Sequence, residues 1–109
     1  MKYKNKTIKI FNTTYKVLFV NNIESEDNNR TIMGETNFNL KTIKIRIIDI
    51  NNKLLPEHEI IICLLHEIFH AILQEGQYIN CTENEPLVEW LAKCTKHLMD
   101  QKAFNITLK

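Results

Sequence analysis

The stretch of this chain best equipped for chemistry is the pattern H-E-x-x-H, formed by His66, Glu67 and His70 inside a long apolar run. Residues four apart lie on the same face of an α-helix, so both imidazoles can reach one metal ion. Glu67 lies about 100° around such a helix from His66, so its carboxylate can face a water molecule beside that ion. Ionisable groups in an apolar run need partners, because burying them unpaired is costly. The pattern therefore predicts a helix that holds Zn²⁺, with Glu67 as the general base.

The third metal ligand has to come from outside this pattern. A catalytic zinc usually has three protein ligands and a water, so the two histidines leave one position to fill. The longer pattern that continues to a glycine and a third histidine is absent, since Leu73 occupies the glycine position. The downstream residues that could supply the ligand are Cys81, Glu83, Glu85, Glu89 and His97.

Glu85 is the expected third ligand, because it stands at the start of a second predicted helix that can pack beside the first. Glu89 lies one turn further on the same face, where it can hydrogen-bond the second nitrogen of a ligand histidine and fix its tautomer. An alternative stays open at this point. Thr82 and Glu85 also fit a capping box, which would leave Glu89 as the ligand. Glu83 is expected to be a first-turn charge that complements the helix dipole.

Two further histidines and one cysteine are expected to take no part in metal binding. His97 is three turns beyond Glu85, which is about 18 Å along the helix axis. His58 is two turns before His66 and is excluded for the same reason. Cys63 shares the metal-facing side of the first helix, where a small buried residue predicts packing rather than ligation.

Alternating apolar residues predict a sheet in the first half of the chain. In its last strand the isoleucines alternate with charged residues, which is typical of a sheet with one buried and one solvated face. We therefore expect an antiparallel sheet of three to four strands, the first two forming a hairpin and the third carrying a bulge at Gly34. The strands are expected over residues 6–11, 15–20, 31–37 and 42–48, with a loop over 21–30.

Two helices are expected in the second half. Pro56 can occupy the first turn of a helix that ends near Glu75, with Gly76 as its C′ residue. This helix is apolar nearly all round, so it should be the buried central helix. The second helix should start within residues 82–86 and end near Lys102. The expected fold class is α+β: one domain of 109 residues in which an N-terminal sheet precedes an active-site helix and a ligand-bearing helix.

Composition argues against several classes of partner. The net charge of +1 predicts neither a nucleic acid nor an anionic membrane as partner. Three cysteines without C-x-x-C spacing favour free thiols in a reducing compartment. The basic amino terminus is not followed by an apolar region of signal-peptide length, and the longest apolar run, residues 60–65, is too short to span a bilayer. We therefore expect a cytoplasmic protein.

Two motifs taken together resemble a known family. Residues 66–73, followed by residues 85–92, resemble the short zinc-peptidase-like proteins of phages and other mobile elements, which are similar to trimmed ImmA/IrrE metallopeptidases. That family follows H-E-x-x-H with a helix reading E-x-x-A-x-x-F-A, whose glutamate is the third zinc ligand. Here the second motif reads E-x-x-V-x-x-L-A from Glu85, with other apolar residues at two of its three supporting positions. Asn84, Glu85 and Glu89 are also similar to the N-E-x-x-x-D element of the thermolysin-like gluzincins.

The resemblance covers residues 42–100 and implies a minimal zincin-like fold with the activity of a zinc metallopeptidase. It also implies a protein substrate, such as a regulatory repressor. The alternative, favoured by the small size of the chain, is a non-catalytic zinc-binding domain that acts by binding a partner protein. The residues implied to hold zinc are His66, His70 and Glu85, with Glu67 as the general base.

Two further expectations concern substrate binding. The strand over residues 42–48 could hold an extended peptide by β-augmentation if it lies at the edge of the sheet. Tyr78, on the connection after the first helix, is a candidate second donor to the oxyanion of the reacting peptide bond.

Overall fold

Strands precede helices in the computed structural model, which describes residues 3–23 and 32–102. The fold class α+β is confirmed. Residue 31 of the expected third strand and most of the expected loop over 21–30 lie outside the described residues. The elements are β1 Lys6–Ile10, β2 Thr13–Val20, β3 Gly34–Asn37, β4 Thr42–Arg46, α1 Glu57–Glu75 and α2 Glu85–Asp100, with a 3₁₀ turn at Ile79–Cys81 between the helices.

The strands form one sheet in the order β1-β2-β4-β3, and this sheet is mixed. β1 pairs with β2, and β3 pairs with β4, in antiparallel fashion, but β2 and β4 run parallel. The expectation of a wholly antiparallel sheet is therefore wrong at the central pair. The alternating pattern of β4 indicates that one of its faces is buried, but it carries no information about the direction of the neighbouring strand.

β4 is an interior strand, because β2 pairs along one side of it and β3 along the other. The condition under which residues 42–48 could hold a peptide is therefore not met. Ile43 and Ile45 of β4 are fully buried, whereas β3 reads Gly-Glu-Thr-Asn and ends the sheet of described strands. The register of β3 on β4 runs unbroken from Gly34, so the expected bulge at that residue is also wrong.

The core lies between one face of the sheet and α1. α1 contacts β1, β3, β4 and α2, which confirms that it is the central helix, but only four of its nineteen residues are buried rather than the whole helix. Burial of each large apolar side chain supplies about 1.5–3 kcal/mol. The largest fully buried side chains are Tyr15, Val17, Ile43, Ile45, Ile60 and Val88.

Neither helix in the described part of the chain combines the length and hydropathy needed to cross a bilayer.

α1 ends in a Schellman arrangement in which Gln77 adopts the left-handed conformation, with a φ of 66°. The Gln77 N–H donates to the Gln74 carbonyl at 3.2 Å, and the Tyr78 N–H donates to the Leu73 carbonyl at 2.9 Å. Gly76 has a φ of −80°. The expectation that Gly76 is the C′ residue is therefore wrong by one position, because the helical backbone continues through the glycine.

Glu75 fastens the carboxyl end of α1 to the sheet. Its Oε1 accepts a hydrogen bond from the Thr13 hydroxyl at 2.9 Å. Its Oε2 accepts one from the Tyr15 hydroxyl at 2.6 Å and one from Lys41 Nζ at 2.9 Å. The bonds from Tyr15 and Lys41 lower the pKa of Glu75 to about 2. No local pattern predicts this cluster, since Thr13 and Tyr15 are 62 and 60 positions away along the chain.

Replacing Glu75 with Gln should lower the free energy of unfolding at pH 7 by about 1–2 kcal/mol, because hydrogen bonds to a charged group are lost. The folded pKa of Glu75 lies below its unfolded value, so this stability is full above about pH 4.3 and is lost as the pH falls toward 2. The wild type and Glu75→Gln should therefore converge in acid. Urea unfolding at pH 7, 4 and 3 measures this, with Glu83→Gln as the control at an exposed position. A difference that stays constant across that pH range would contradict the assignment.

Candidate metal centre

Three side chains from two helices converge on one point. The Nε2 atoms of His66 and His70 are 3.1 Å apart. The Glu85 carboxylate lies against both imidazoles, with Oε2 2.8 Å from His66 Nε2 and Oε1 3.0 Å from His70 Nε2. Within residues 3–23 and 32–102, these three form the one His/Cys/Asp/Glu group whose ligand atoms all lie within 4.8 Å of one another. The group is close enough to hold a metal ion.

The second nitrogen of each imidazole has a hydrogen-bond partner. His70 Nδ1 contacts the backbone carbonyl oxygen of Thr82, and His66 Nδ1 lies 3.0 Å from Glu89 Oε2. A carbonyl oxygen only accepts, so His70 Nδ1 carries the proton and donates it. A neutral His70 then presents the lone pair of Nε2 to the common point, and a Glu89 carboxylate that accepts from Nδ1 fixes the same tautomer in His66. Glu89 thus contacts the Nδ1 atom of His66, as the sequence predicted, and Glu85 contacts the Nε2 atom.

Asn84 caps α2 and leaves the Glu85 side chain available. Asn84 Oδ1 accepts a hydrogen bond from the Leu87 N–H at 3.2 Å, and the helix begins at Glu85. The alternative in which Thr82 and Glu85 form a capping box is therefore wrong. The Asn84 side chain satisfies an amide of the first turn that has no partner within the helix, so the Glu85 carboxylate can face α1.

The donor set fits a divalent cation such as Zn²⁺. Two imidazole nitrogens and one carboxylate oxygen are the ligands that zinc takes in many catalytic sites. The side chains of His66 and His70 are 14% and 9% exposed, whereas that of Glu85 is 64% exposed. The common point therefore lies at the surface, with the imidazoles on its protein side and the carboxylate toward solvent. Solvent can approach it from there.

Glu67 is buried beside the two histidines and is 7% exposed. Its Oε1 accepts a hydrogen bond from the Thr36 hydroxyl at 2.8 Å. Burial raises the pKa of Glu67, while the bond from Thr36 and the nearby imidazoles of His70 and His66 act in the opposite direction. A carboxyl group whose pKa is raised takes up a proton more readily than one in water.

Gly34 gives Glu67 and Cys63 room against β3. A Cβ atom on Gly34 would lie 2.8 Å from Cys63 Sγ and 2.9 Å from both Cγ and Oε2 of Glu67. Burial raises the pKa of the Cys63 thiol to about 12, and the carboxylates of Glu67 and Glu89 add to this shift. Cys63 is therefore a protonated residue that packs against the core, as the sequence predicted, and it lies outside the ligand group.

The remaining candidates from the sequence lie outside the ligand group of the described residues. His97 is exposed and its Nε2 contacts Gln101 Nε2 at 2.8 Å. Tyr78 is 68% exposed, and its role as an oxyanion donor stays a prediction. The others outside the group are His58 and Glu83, which are exposed, and Cys81, which is half-buried.

Sequence reasoning missed the part that β3 plays in this site. Strand alternation places Gly34 and Thr36 on the same face of a predicted strand, but it does not say which residue of which helix that face meets. Thr36 lies 31 positions before Glu67. The available signal was weak: a glycine two residues from a threonine in a strand of otherwise polar residues.

Wild-type protein should bind one zinc ion per chain, and the two helix carboxylates should contribute unequally. Glu89→Ala should weaken zinc binding roughly 10- to 100-fold, as expected for a residue that orients a ligand. Glu85→Ala should weaken it further, because a ligand atom is lost. Isothermal titration with zinc salt measures both, and Glu83→Ala is the matched control for removing a nearby exposed carboxylate. A larger loss from Glu89→Ala than from Glu85→Ala would exchange the two roles.

Gly34→Ala should lower the free energy of unfolding by about 1–3 kcal/mol, because the added methyl group overpacks the contact between β3 and α1. Part of this cost comes from the Cys63 sulfur, so the same substitution should cost less in a Cys63→Ala background. Urea unfolding of the wild type, Gly34→Ala, Cys63→Ala and the double variant gives the coupling free energy between the two positions. Equal costs in both backgrounds would rule out the close approach.

Comparisons with known proteins do not place this chain in a family. No protein-family model, no curated protein and no solved structure matches it. The resemblance to the ImmA/IrrE metallopeptidases therefore stays a prediction. What the molecule itself offers is two oriented imidazoles, a carboxylate between them and a buried glutamate beside them.

Proposed function

We propose that this protein is a zinc-dependent metallopeptidase that hydrolyses peptide bonds in a protein substrate. One observation carries the proposal: the Nε2 atoms of His66 and His70 meet the Glu85 carboxylate beside the buried carboxylate of Glu67. Three candidate ligands and a candidate base are the parts needed for hydrolysis with a metal-activated water.

The ligands would be the Nε2 atoms of His66 and His70 and the carboxylate of Glu85. Glu89 and the carbonyl of Thr82 hold the imidazoles in the orientation that directs Nε2 to the common point. When bound, zinc supplies a Lewis acid that lowers the pKa of a water molecule and polarises the carbonyl of the scissile bond.

Glu67 performs the proton transfers. Its carboxylate takes a proton from the attacking water and later delivers that proton to the nitrogen of the leaving amine. Burial supports this role in two ways. It raises the pKa of Glu67, and it keeps the carboxylate in one orientation. The hydrogen bond from Thr36 offsets part of the cost of burying the charged form.

The edge strand β3 is the strand with which the substrate backbone would pair through main-chain hydrogen bonds. β3 ends the described sheet and contacts α1, and its Thr36 touches Glu67 directly. An extended peptide that pairs with this edge would pass beside the base and the ligand group. The resemblance to ImmA/IrrE proteins suggests a regulatory protein, such as a repressor, as the substrate.

Glu67→Gln should abolish hydrolysis while zinc binding stays near one ion per chain, because the amide cannot accept the proton from water. Loss of a general base lowers kcat roughly 10²- to 10⁴-fold. The assay is cleavage of fluorescein-labelled casein, together with a random peptide library read by mass spectrometry. Glu59→Gln is the matched control, because Glu59 is an exposed glutamate on the same helix.

Two results would overturn the proposed function. Cleavage by Glu67→Gln at the wild-type rate would remove Glu67 from the mechanism. Stoichiometric zinc in wild-type protein that cleaves neither casein nor any library peptide would favour the non-catalytic zinc-binding domain. In that case His66→Ala should abolish partner binding, while Glu67→Gln should leave it intact.

A further inference from the structure

The Thr36 hydroxyl contacts one residue of α1 at two places. It lies 2.8 Å from Oε1 of Glu67 and 3.1 Å from the backbone carbonyl oxygen of the same residue. Thr36 pairs with Ile43 in the register of β3 on β4, and Ile43 is fully buried. Paired residues point to the same face of a sheet, so Thr36 faces α1 from the edge strand.

These two contacts constrain the Glu67 side chain relative to its own backbone. A glutamate has three side-chain torsions, and one donor that lies against both the carboxylate and the main chain restricts them together. In the described part of the chain, Thr36 is the hydrogen-bond donor to this carboxylate. Gly34, two residues earlier on the same strand, offers no side chain to the other carboxylate oxygen, and a Cβ there would lie 2.9 Å from Oε2. β3 therefore holds Oε1 of Glu67 through the Thr36 hydroxyl, while Gly34 leaves room for Oε2.

We propose that Thr36 is the positioning residue of the site, which aims the Glu67 carboxylate at the water and the scissile bond. This inference rests on the proposed function, since Glu67 has to act as the base for its aim to matter. Thr36 touches none of His66, His70 and Glu85 in the hydrogen bonds of the structure, so its effect on hydrolysis runs through Glu67. The strand next to which a peptide would lie is then the same strand that orients the base.

Two substitutions separate the hydroxyl from the shape of the side chain. Thr36→Val keeps the branched shape and loses the donor, whereas Thr36→Ser keeps the donor. Thr42→Val is the matched control, because it makes the same chemical change in the neighbouring strand, on the face of the sheet opposite the buried Ile43. Urea unfolding of each variant shows that it is folded at the assay temperature.

The experiment uses the full chain loaded with zinc and has three readouts. The ¹³C NMR shift of the Glu67 carboxyl carbon, assigned by its loss in Glu67→Gln, reports the surroundings of that group. Zinc titration reports the ligand group. Initial rates on fluorescein-labelled casein give kcat and KM separately.

Thr36→Val should move the Glu67 carboxyl resonance and lower kcat roughly 10- to 100-fold, the usual cost of removing a group that orients a functional residue. KM and zinc affinity should each change by less than about threefold, since the substitution leaves the backbone of β3 unchanged and the lost hydroxyl lies against Glu67. Thr36→Ser should restore both the resonance and kcat, and Thr42→Val should leave them at the wild-type values.

The proposal is overturned if Thr36→Val leaves the Glu67 resonance in place, or if it moves the resonance without lowering the kcat of an active enzyme. It is also overturned if Thr36→Ser fails to restore the wild-type behaviour. Wild-type protein that binds zinc but cleaves neither casein nor any library peptide would count against the proposed function. The NMR comparison would then still decide whether Thr36 sets the position of Glu67.

Discussion

The contacts between the imidazoles of α1 and the polar groups around the start of α2 are the interaction on which this structure depends. His66 and His70 meet the Glu85 carboxylate through Nε2, while Glu89 and a backbone carbonyl hold their Nδ1 atoms. Each Nε2 presents its lone pair toward the Glu85 carboxylate, where a cation could lie between them, and each Nδ1 has a hydrogen-bond acceptor. Polar groups that are largely buried need such partners, because leaving one unpaired costs about 1–3 kcal/mol.

Small apolar residues let the two helices come close enough for these contacts. Val88 and Ala92 are fully buried on α2, the helix whose carboxylates reach the imidazoles of α1. Val88 lies three residues after Glu85, and Ala92 lies three residues after Glu89, so the carboxylates and the packing residues share one face of α2. The same face thus supplies both the apolar contact and the groups that hold the histidines.

α1 is also fixed to the sheet at two places, which lie before and after His70 in the sequence. Thr36 of β3 holds Glu67, and Thr13, Tyr15 and Lys41 hold Glu75 at the end of the helix. The segment from Glu67 to Glu75 spans two helical turns and contains His70. Anchoring both ends prevents this segment from sliding along the sheet or rotating about its axis. The imidazole of His70 then needs only its contacts with the segment before α2 and with Glu85 to complete its orientation.

Sequence patterns were sufficient for the parts of this site that depend on local spacing. The period of four joins His66 to His70 and Glu85 to Glu89, and any helix brings such residues onto one face. The features that the sequence did not predict depend on contacts between segments that are far apart in the sequence. The parallel pairing of β2 with β4, the hydroxyl of Thr36 against α1 and the cluster at Glu75 all join residues about 25 or more positions apart. Alternation gives a strand its buried face but not its neighbours.

The short segment before α2 explains why Glu85 rather than Glu89 faces the Nε2 atoms of both histidines. Thr82 supplies the carbonyl that holds His70, Asn84 caps the helix, and Glu85 is its first residue. The carbonyl fixes where the segment lies against α1, and only two residues separate Thr82 from Glu85. If Thr82 were the cap, the helix would begin earlier and Glu85 would be engaged with the backbone of its own first turn. The asparagine cap therefore decides the role of the next residue, and Glu89, one turn later, is left to hold the other side of His66.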